Sequence, residues 1–175
     1  KTARKDFQIV FQDPFGSLNP RLSIGNAIGE PIRLYNQGIG RSEVEQRVND
    51  ILQRVDLPIS AFSKYPFQFS GGQRQRICIA RALAVNPSFF VFDESVSALD
   101  VSVQAQILNL IQELKSASDF TALFISHDLG VVHYLCDRIL VMKAGEIVEE
   151  GTADEVFFHP KHPYTKELLA AQPGS

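Results

Sequence analysis

The chain has 175 residues, with 17 basic and 20 acidic side chains, a formal charge of −3 and 45% hydrophobic residues. That length suits one globular domain or a large piece of one, able to bury about 70% of its unfolded surface without disulfides. A charged fraction of 21% among so many Leu, Ile, Val and Phe excludes a disordered chain, and a mildly acidic balance without a long like-charge block argues against a nucleic-acid surface as the main role.

The amino end, Lys-Thr-Ala-Arg-Lys-Asp, is basic but is not followed by the apolar region of a signal peptide. Arg81 interrupts the nearest long apolar run, Ile77 to Val85, so no segment is long enough to span a bilayer and the chain reads as soluble. Phe7 to Phe11 reads as a strand, ended by the turn-rich Gln12 to Pro20. From there to about Val85 the pattern is helical. Val44, Val48, Ile51, Leu52 and Val55 form one apolar stripe, with Ser42 expected as N-cap and Glu45 completing a capping box. Leu57-Pro58 closes that helix. An aromatic-rich loop, Phe62 to Phe69, leads into Ser-Gly-Gly-Gln and a helix through Ala84.

After Asn86-Pro87 comes Phe89 to Phe92, a continuous apolar run of the kind found in parallel strands covered on both faces. A helix carrying Ile107, Leu108, Ile111 and Leu114 follows, then a strand Thr121 to Ile125, a short helix Leu129 to Leu135 and a strand Arg138 to Met142. Lys143-Ala-Gly145 predicts a turn into an antiparallel partner, Glu146 to Glu149. Two short helices around Glu155 and Leu168, separated by the Pro-rich His159 to Pro163, finish the chain. The architecture is α/β with a helical insertion between the first and second strands. Cys78 and Cys136 lie far apart in apolar stretches; they read as two small core residues in a reducing compartment rather than a disulfide or redox pair.

The chemistry gathers at strand ends. Phe89 to Phe92 delivers Asp93 and Glu94 to the carboxyl edge of the sheet, where open α/β sheets place ligands. One carboxylate can hold Mg²⁺ and the next can orient or deprotonate an attacking water, although many strands also end in acidic residues simply because they reach solvent. Ser70-Gly71-Gly72-Gln73 at a helix start offers unobstructed N–H groups and a hydroxyl at the positive end of the helix dipole, an anion site. Two glycines in a first turn cost helix stability, which favours close approach of something over an ordinary Ser cap.

These residues carry a family resemblance. Ser70-Gly-Gly-Gln-Arg-Gln-Arg76 with Ala80-Arg-Ala-Leu83, then Phe92-Asp-Glu94, then Ser97-Ala-Leu-Asp100, resembles the ATP-binding subunit of ABC transporters. Gln12 matches the Q-loop, Ser70 to Gln73 the signature, Asp93 and Glu94 the Walker B pair, Ser97 to Asp100 the D-loop and His127 the H-loop. Gln12-Asp-Pro-Phe-Gly-Ser-Leu-Asn-Pro-Arg21, Tyr65-Pro, and His162-Pro-Tyr-Thr165 are similar to the oligopeptide and dipeptide importers, a subfamily that also contains nickel and glutathione importers. Ser95 stands where the family usually has Pro, and Phe69 where Leu is commoner.

The resemblance implies a P-loop NTPase-like ABC ATPase core, an incomplete and mainly parallel sheet, with a helical signature subdomain. Residues 1–23 would supply the Q-loop strand and loop, 24–86 the helical subdomain, 87–151 the core with Walker B, D-loop and H-loop, and 152–175 a peptide-importer extension. None of the 11 glycines is followed by Lys, so GxxxxGK[ST] is absent; the chain reads as a fragment lacking the Walker A region and is expected to be inactive alone. In the complete protein the resemblance implies ATP and Mg²⁺ as cofactors and a head-to-tail pair of ATP-binding subunits, of the same chain or a paralogue. Asp93 and Gln12 serve the metal, while Glu94, His127 and Gln12 serve catalysis. Ser70, Gly71, Gly72 and Gln73 reach the nucleotide of the opposite subunit, with Asp100 at the shared interface. It further implies transmembrane permease subunits, docked beyond Gln12 through the helix near Ile24, an indirect solute-binding protein, no nucleic acid, and a peripheral position at the cytoplasmic membrane face. The fragment is expected to self-associate to cover an exposed edge or apolar face.

Competing readings exist. ABC-type ATPases of DNA repair or translation share the signature, Walker B and D-loop; the acidic charge and the importer-like segments stand against them. Ser126-His127-Asp128 is no hydrolase triad, because consecutive residues cannot face one another as nucleophile, base and orienter. His159 and His162 lack a Cys or acidic partner for a metal. Arg74, Arg76 and Arg81 read as salt-bridging residues, and Phe62, Tyr65, Phe67 and Phe69 as packing of the helical insertion or a permease contact.

Overall fold

The computed structural model describes residues 3–171. A short helix, α1 (Ala3–Asp6), leads into β1 (Phe7–Val10) and the single turn α2 (Pro14–Ser17). The helical insertion holds α3 (Ile24–Tyr35), α4 (Arg41–Arg54), two 3₁₀ turns (Ile59–Ser63 and Pro66–Gln68) and α5 (Gly71–Leu83). Then come β2 (Phe89–Asp93), α6 (Val101–Ala117), β3 (Thr121–Ile125), α7 (Leu129–Leu135), β4 (Arg138–Lys143), β5 (Glu146–Thr152), α8 (Ala153–Phe158) and α9 (Pro163–Ala170). The chain divides between Leu123 and Phe124 into two compact units.

In the first unit β1 and β2 run parallel, with Phe7 opposite Phe89 and Val10 opposite Phe92. The sheet order is β1-β2-β3. Two parallel strands require a crossover, and here the whole helical insertion lies between them. β2 is central, and Phe90 and Phe92 are buried, as its uninterrupted apolar run predicts. β1 is an edge strand and leaves Phe7 and Ile9 exposed.

The insertion is held by helix stripes. Ile24, Ala27, Ile28 and Ile32 of α3 are buried at helical spacing, and Ser23 caps that helix by accepting from the Asn26 N–H. Val44, Val48, Ile51 and Leu52 are the buried stripe of α4, as expected. Its ends differ from expectation. The N-cap is Gly40 without a side-chain hydrogen bond, so Ser42 falls in the first turn and Glu45 beyond it, and neither caps the helix. The helix closes at Asp56, with φ 54°, where the Leu57 N–H reaches the Leu52 carbonyl at 2.9 Å and the Asp56 N–H the Gln53 carbonyl at 3.1 Å. That left-handed Schellman closure usually uses Gly; Asp56 instead ion-pairs with Arg76 at 2.8 Å.

The second unit is built on the β4–β5 hairpin. Ala144 and Gly145 both have positive φ, as a two-residue primed turn requires. Leu129, Val132, Ile139, Val141, Ala153 and Val156 form its core, and Tyr164, Leu168 and Leu169 pack against it. Thr152 and Glu155 cap α8 reciprocally. His162 caps α9, its Nδ1 accepting from the Tyr164 N–H at 3.2 Å. Among the described residues no group of three potential metal ligands occurs, and no helix is long and apolar enough to cross a membrane.

Candidate functional site

The register of β1 on β2 brings the Q-loop and Walker B residues to one edge. Beyond the last pair, Val10 and Phe92, the next residues on the two strands are Phe11 and Asp93, then Gln12 and Glu94. Gln12 is exposed, while Asp93 and Glu94 are half-buried. Glu94 has φ 46°, a left-handed conformation that disfavours any side chain. The backbone is held there by Ser97, whose N–H and hydroxyl both donate to the Glu94 carbonyl, at 3.1 and 2.9 Å. The same hydroxyl lies 3.4 Å from Glu94 Oε2. This geometry turns the Glu94 carboxylate sharply off the end of β2. Ser95 follows it, buried, with no partner for its hydroxyl among the described residues.

The signature opens α5. The Ser70 hydroxyl accepts from the Gln73 N–H at 3.3 Å, and Gln73 Oε1 accepts from the Ser70 N–H at 3.1 Å. This capping box was not anticipated from sequence, although its Ser-x-x-Gln spacing is the recognisable signal. It employs the Ser70 oxygen as acceptor and leaves its O–H proton to donate. The glycines divide the work. A Cβ on Gly72 would lie 2.3 Å from Val103 Cγ1, so helix packing alone requires that glycine. A Cβ on Gly71 would meet only Leu99 Cδ2 at 3.6 Å, an ordinary contact, and Gly71 has no positive φ. Among the described residues neither packing nor backbone conformation demands glycine at 71.

Asp100 caps α6, its Oδ1 accepting from the Val103 N–H at 3.0 Å and the Ser102 hydroxyl at 2.8 Å. The Val103 backbone bond, chiefly, holds its carboxyl below the usual carboxylate range. His127 belongs to the second unit, exposed in the loop that precedes α7. Its neighbour Asp128 caps α7 by accepting from the Gly130 and Val131 N–H groups at 2.9 and 3.1 Å.

Only one of the three arginines of α5 behaves as expected. Arg76 pairs with Asp56, whereas Arg74 donates to the Pro66 carbonyl in the second 3₁₀ turn and Arg81 to the Ser17 carbonyl of α2. The aromatic cluster also divides: Phe69 is buried, Phe62 packs beside Gly25, and Tyr65 and Phe67 stack on one another at 5.9 Å while exposed. Both cysteines are free thiols. Burial pushes the Cys78 thiol up to about 11 from 9.0, against the opposing charge of Arg81. The native state therefore favours the protonated thiol, and its contribution is complete below pH 9 and lost between pH 9 and about 11. A shift of about two units corresponds to about 3 kcal/mol over that window. The expected result is a steeper loss of stability from pH 9 to 11 than in Cys78→Ala, read from denaturant melts.

Comparison with known proteins gives the family. The family model "ABC transporter" matches residues 1–97, more than half of the sequence. The chain belongs to the ABC transporter ATP-binding family. It is 50% identical over 173 residues to the oligopeptide transport ATP-binding protein OppF of Escherichia coli K12, covering 99% of this chain and 52% of that protein. It is 52% identical over 170 residues to the glutathione import ATP-binding protein GsiA of Pectobacterium atrosepticum, covering 97% of this chain and 27% of that one. Among solved structures it resembles CbiO1 of Clostridium perfringens, part of the ABC transporter complex CbiONQ. That match has a TM-score of 0.81 at 28% identity, over 90% of this chain and 61% of that one. A second match is the ATP-binding cassette MJ0796 in a dimeric post-hydrolysis state with ADP and Pi, with a TM-score of 0.72 at 30% identity, over 86% and 65% of the two chains. The mixed α/β fold with its parallel sheet is that of an ABC ATPase domain. The chain spans about half the length of the OppF it matches.

Proposed function

We propose that these residues form the hydrolytic and signature half of the ATP-hydrolysing subunit of an ABC importer for oligopeptides or dipeptides. The observation that carries this reading is the in-register β1–β2 pair, which sends Gln12, Asp93 and Glu94 out of one sheet edge. Mg²⁺ is held in nucleotide sites by one or two carboxylates together with substrate phosphates and water. The donor set suits that mode, since Asp93 and Gln12 offer oxygen ligands and no all-protein cage exists among the described residues. Bound there, the ion would neutralise phosphate charge. Glu94 accepts the proton of the water whose oxygen attacks the γ-phosphorus as the bond to the β-phosphate breaks. His127 contacts the γ-phosphate, and Ser70, Gly71, Gly72 and Gln73 donate to the nucleotide held by a second subunit, with Asp100 at the contact between the two.

On this reading residues 1–23 and 87–151 serve the ATPase core, 24–86 the signature subdomain and 152–175 the extension. Permease subunits take up the surface from α2 into α3, which places the protein peripherally at the cytoplasmic membrane face. The solute is a peptide in keeping with the OppF relative; glutathione is the alternative raised by GsiA. Exposed Phe7, Ile9 and Phe11 on and just beyond the edge strand β1 give the 175-residue chain an apolar edge through which it self-associates; a monomeric sedimentation profile at high concentration would exclude that. The transport reading is tested by detergent extraction of cells producing the tagged complete subunit. A transmembrane protein is expected to co-purify and nuclease treatment to change nothing. Recovery with nucleic acid and no membrane protein would favour a repair or translation ATPase instead.

A further inference from the structure

One face of α5 grips the turn that follows Gln12. Arg74, Cys78 and Arg81, spaced at successive helical turns, each engage α2. The Arg74 guanidinium lies 3.7 Å from the centroid of the Phe15 ring. Cys78 Sγ is 4.0 Å from the Pro14 carbonyl, and Arg81 Nη1 donates to the Ser17 carbonyl at 2.5 Å. Arg74 is the anomaly among them. It is only 8% exposed, yet among the described residues it has no carboxylate partner. Its Nε donates to the Pro66 carbonyl at 2.7 Å and its Nη2 to the Phe67 carbonyl at 3.4 Å, while Nη1 meets no acceptor among those residues. Burying a guanidinium without an acid is costly, and an aliphatic side chain would fill the space at less expense. Three elements are tied through this one group: the 3₁₀ turn at Pro66, the first turns of α5 and the ring of Phe15.

Phe15 is 65% exposed, so the ring that rests on Arg74 is also open to a partner. Its turn is tied to Asp13, the residue that follows Gln12. The Asp13 carboxylate accepts from the Phe15 N–H at 2.9 Å, and the Asp13 carbonyl accepts from the Ser17 hydroxyl at 2.7 Å. At the other end of the contact, Arg74 follows Gln73 directly and sits one helical turn beyond Ser70.

We infer that Arg74, through its stack on Phe15, is a positioning residue that makes the turn after Gln12 and the first turn of α5 move as one. Loss of the stack then frees the turn that follows Gln12 from the signature helix. This inference rests on the ATPase reading above.

The test uses the complete subunit assembled with its permease, and the variants Phe15→Leu, Arg74→Lys and their double. Leu keeps an apolar side chain but lacks the π face; Lys keeps the charge but lacks the planar fork. Each single variant is expected to lower kcat for ATP hydrolysis about tenfold while the KM for ATP stays within about twofold. The double variant is expected to lose no more than the worse single one, since both break the same link. Hydrogen exchange at the Ser17 amide should quicken alike in both single variants, a readout independent of hydrolysis. Phe15→Leu, at an exposed site, should leave the melting temperature unchanged. Unchanged kcat and exchange in Phe15→Leu and Arg74→Lys, or losses that multiply in the double variant, would overturn the inference. A parent assembly that binds no ATP while the exchange coupling persists would overturn the ATPase reading instead.

Discussion

A complete subunit carrying Glu94→Gln is expected to bind Mg-ATP as the parent does and to hydrolyse it at least about 100-fold more slowly. The amide has the shape of the carboxylate but cannot take the proton of the attacking water. It inherits the same φ of 46°, so the fold should not change. Glu94→Gly separates the two roles of the position. Relief of a left-handed side chain stabilises by about 1–2 kcal/mol. The extra chain entropy of Gly offsets about 0.5–1 kcal/mol of that gain. The Gly variant should therefore melt no lower than the parent while being just as inactive. Phosphate release and thermal melts on the same preparations check both halves; a Gly variant that turns over at the parental rate would remove Glu94 from catalysis.

The two signature glycines should respond oppositely to alanine. Gly72→Ala sets a methyl 2.3 Å from Val103 Cγ1, and a β-branched side chain within α6 has little freedom to swing aside. Overpacking of this kind costs about 1–3 kcal/mol, and Val103→Ala should restore most of it. Gly71→Ala meets Leu99 at 3.6 Å, so its stability should hold, or rise by up to about 1 kcal/mol with the better helix former. If Gly71 meets a second subunit's nucleotide as proposed, ATP turnover should nevertheless fall, because the methyl would occupy that surface. Melting curves and turnover of both variants decide this. Equal destabilisation by the two substitutions would show that packing, and not ligand approach, explains the pair.

Much of this was legible because it is local. The strand Thr121–Ile125 and the helix Leu129–Leu135 have the bounds their apolar spacing predicts. The α4 stripe and the hairpin at Ala144-Gly145 follow from periodicity and turn chemistry in the same way. Asp93 and Glu94 stand at the sheet edge because a short apolar run ends there. What escaped depends on partners far along the chain. Arg74 and Arg81 look like surface cations until α2, some 60 residues earlier, is laid against their face of α5. The requirement for Gly72 comes from Val103 on another helix. The left-handed turn at Glu94 is imposed by Ser97 and carries no residue preference that announces it. The Ser42 cap fails for a smaller reason: the N-cap of α4 lies two residues earlier than expected, at Gly40, where the backbone turns without a side-chain partner.

The central claim is that these residues act on a bound nucleotide without themselves cradling its phosphates, since the sequence contains no GxxxxGK[ST]. The direct measurement is a calorimetric Mg-ATP titration of the 175-residue chain beside the same chain extended upstream through such a loop. Loss of several charge-assisted hydrogen bonds, each about 1.5–3 kcal/mol, moves a micromolar site beyond millimolar. Binding and turnover are therefore predicted only for the longer chain. Micromolar binding by the 175 residues alone would contradict the account and require a second nucleotide site within them.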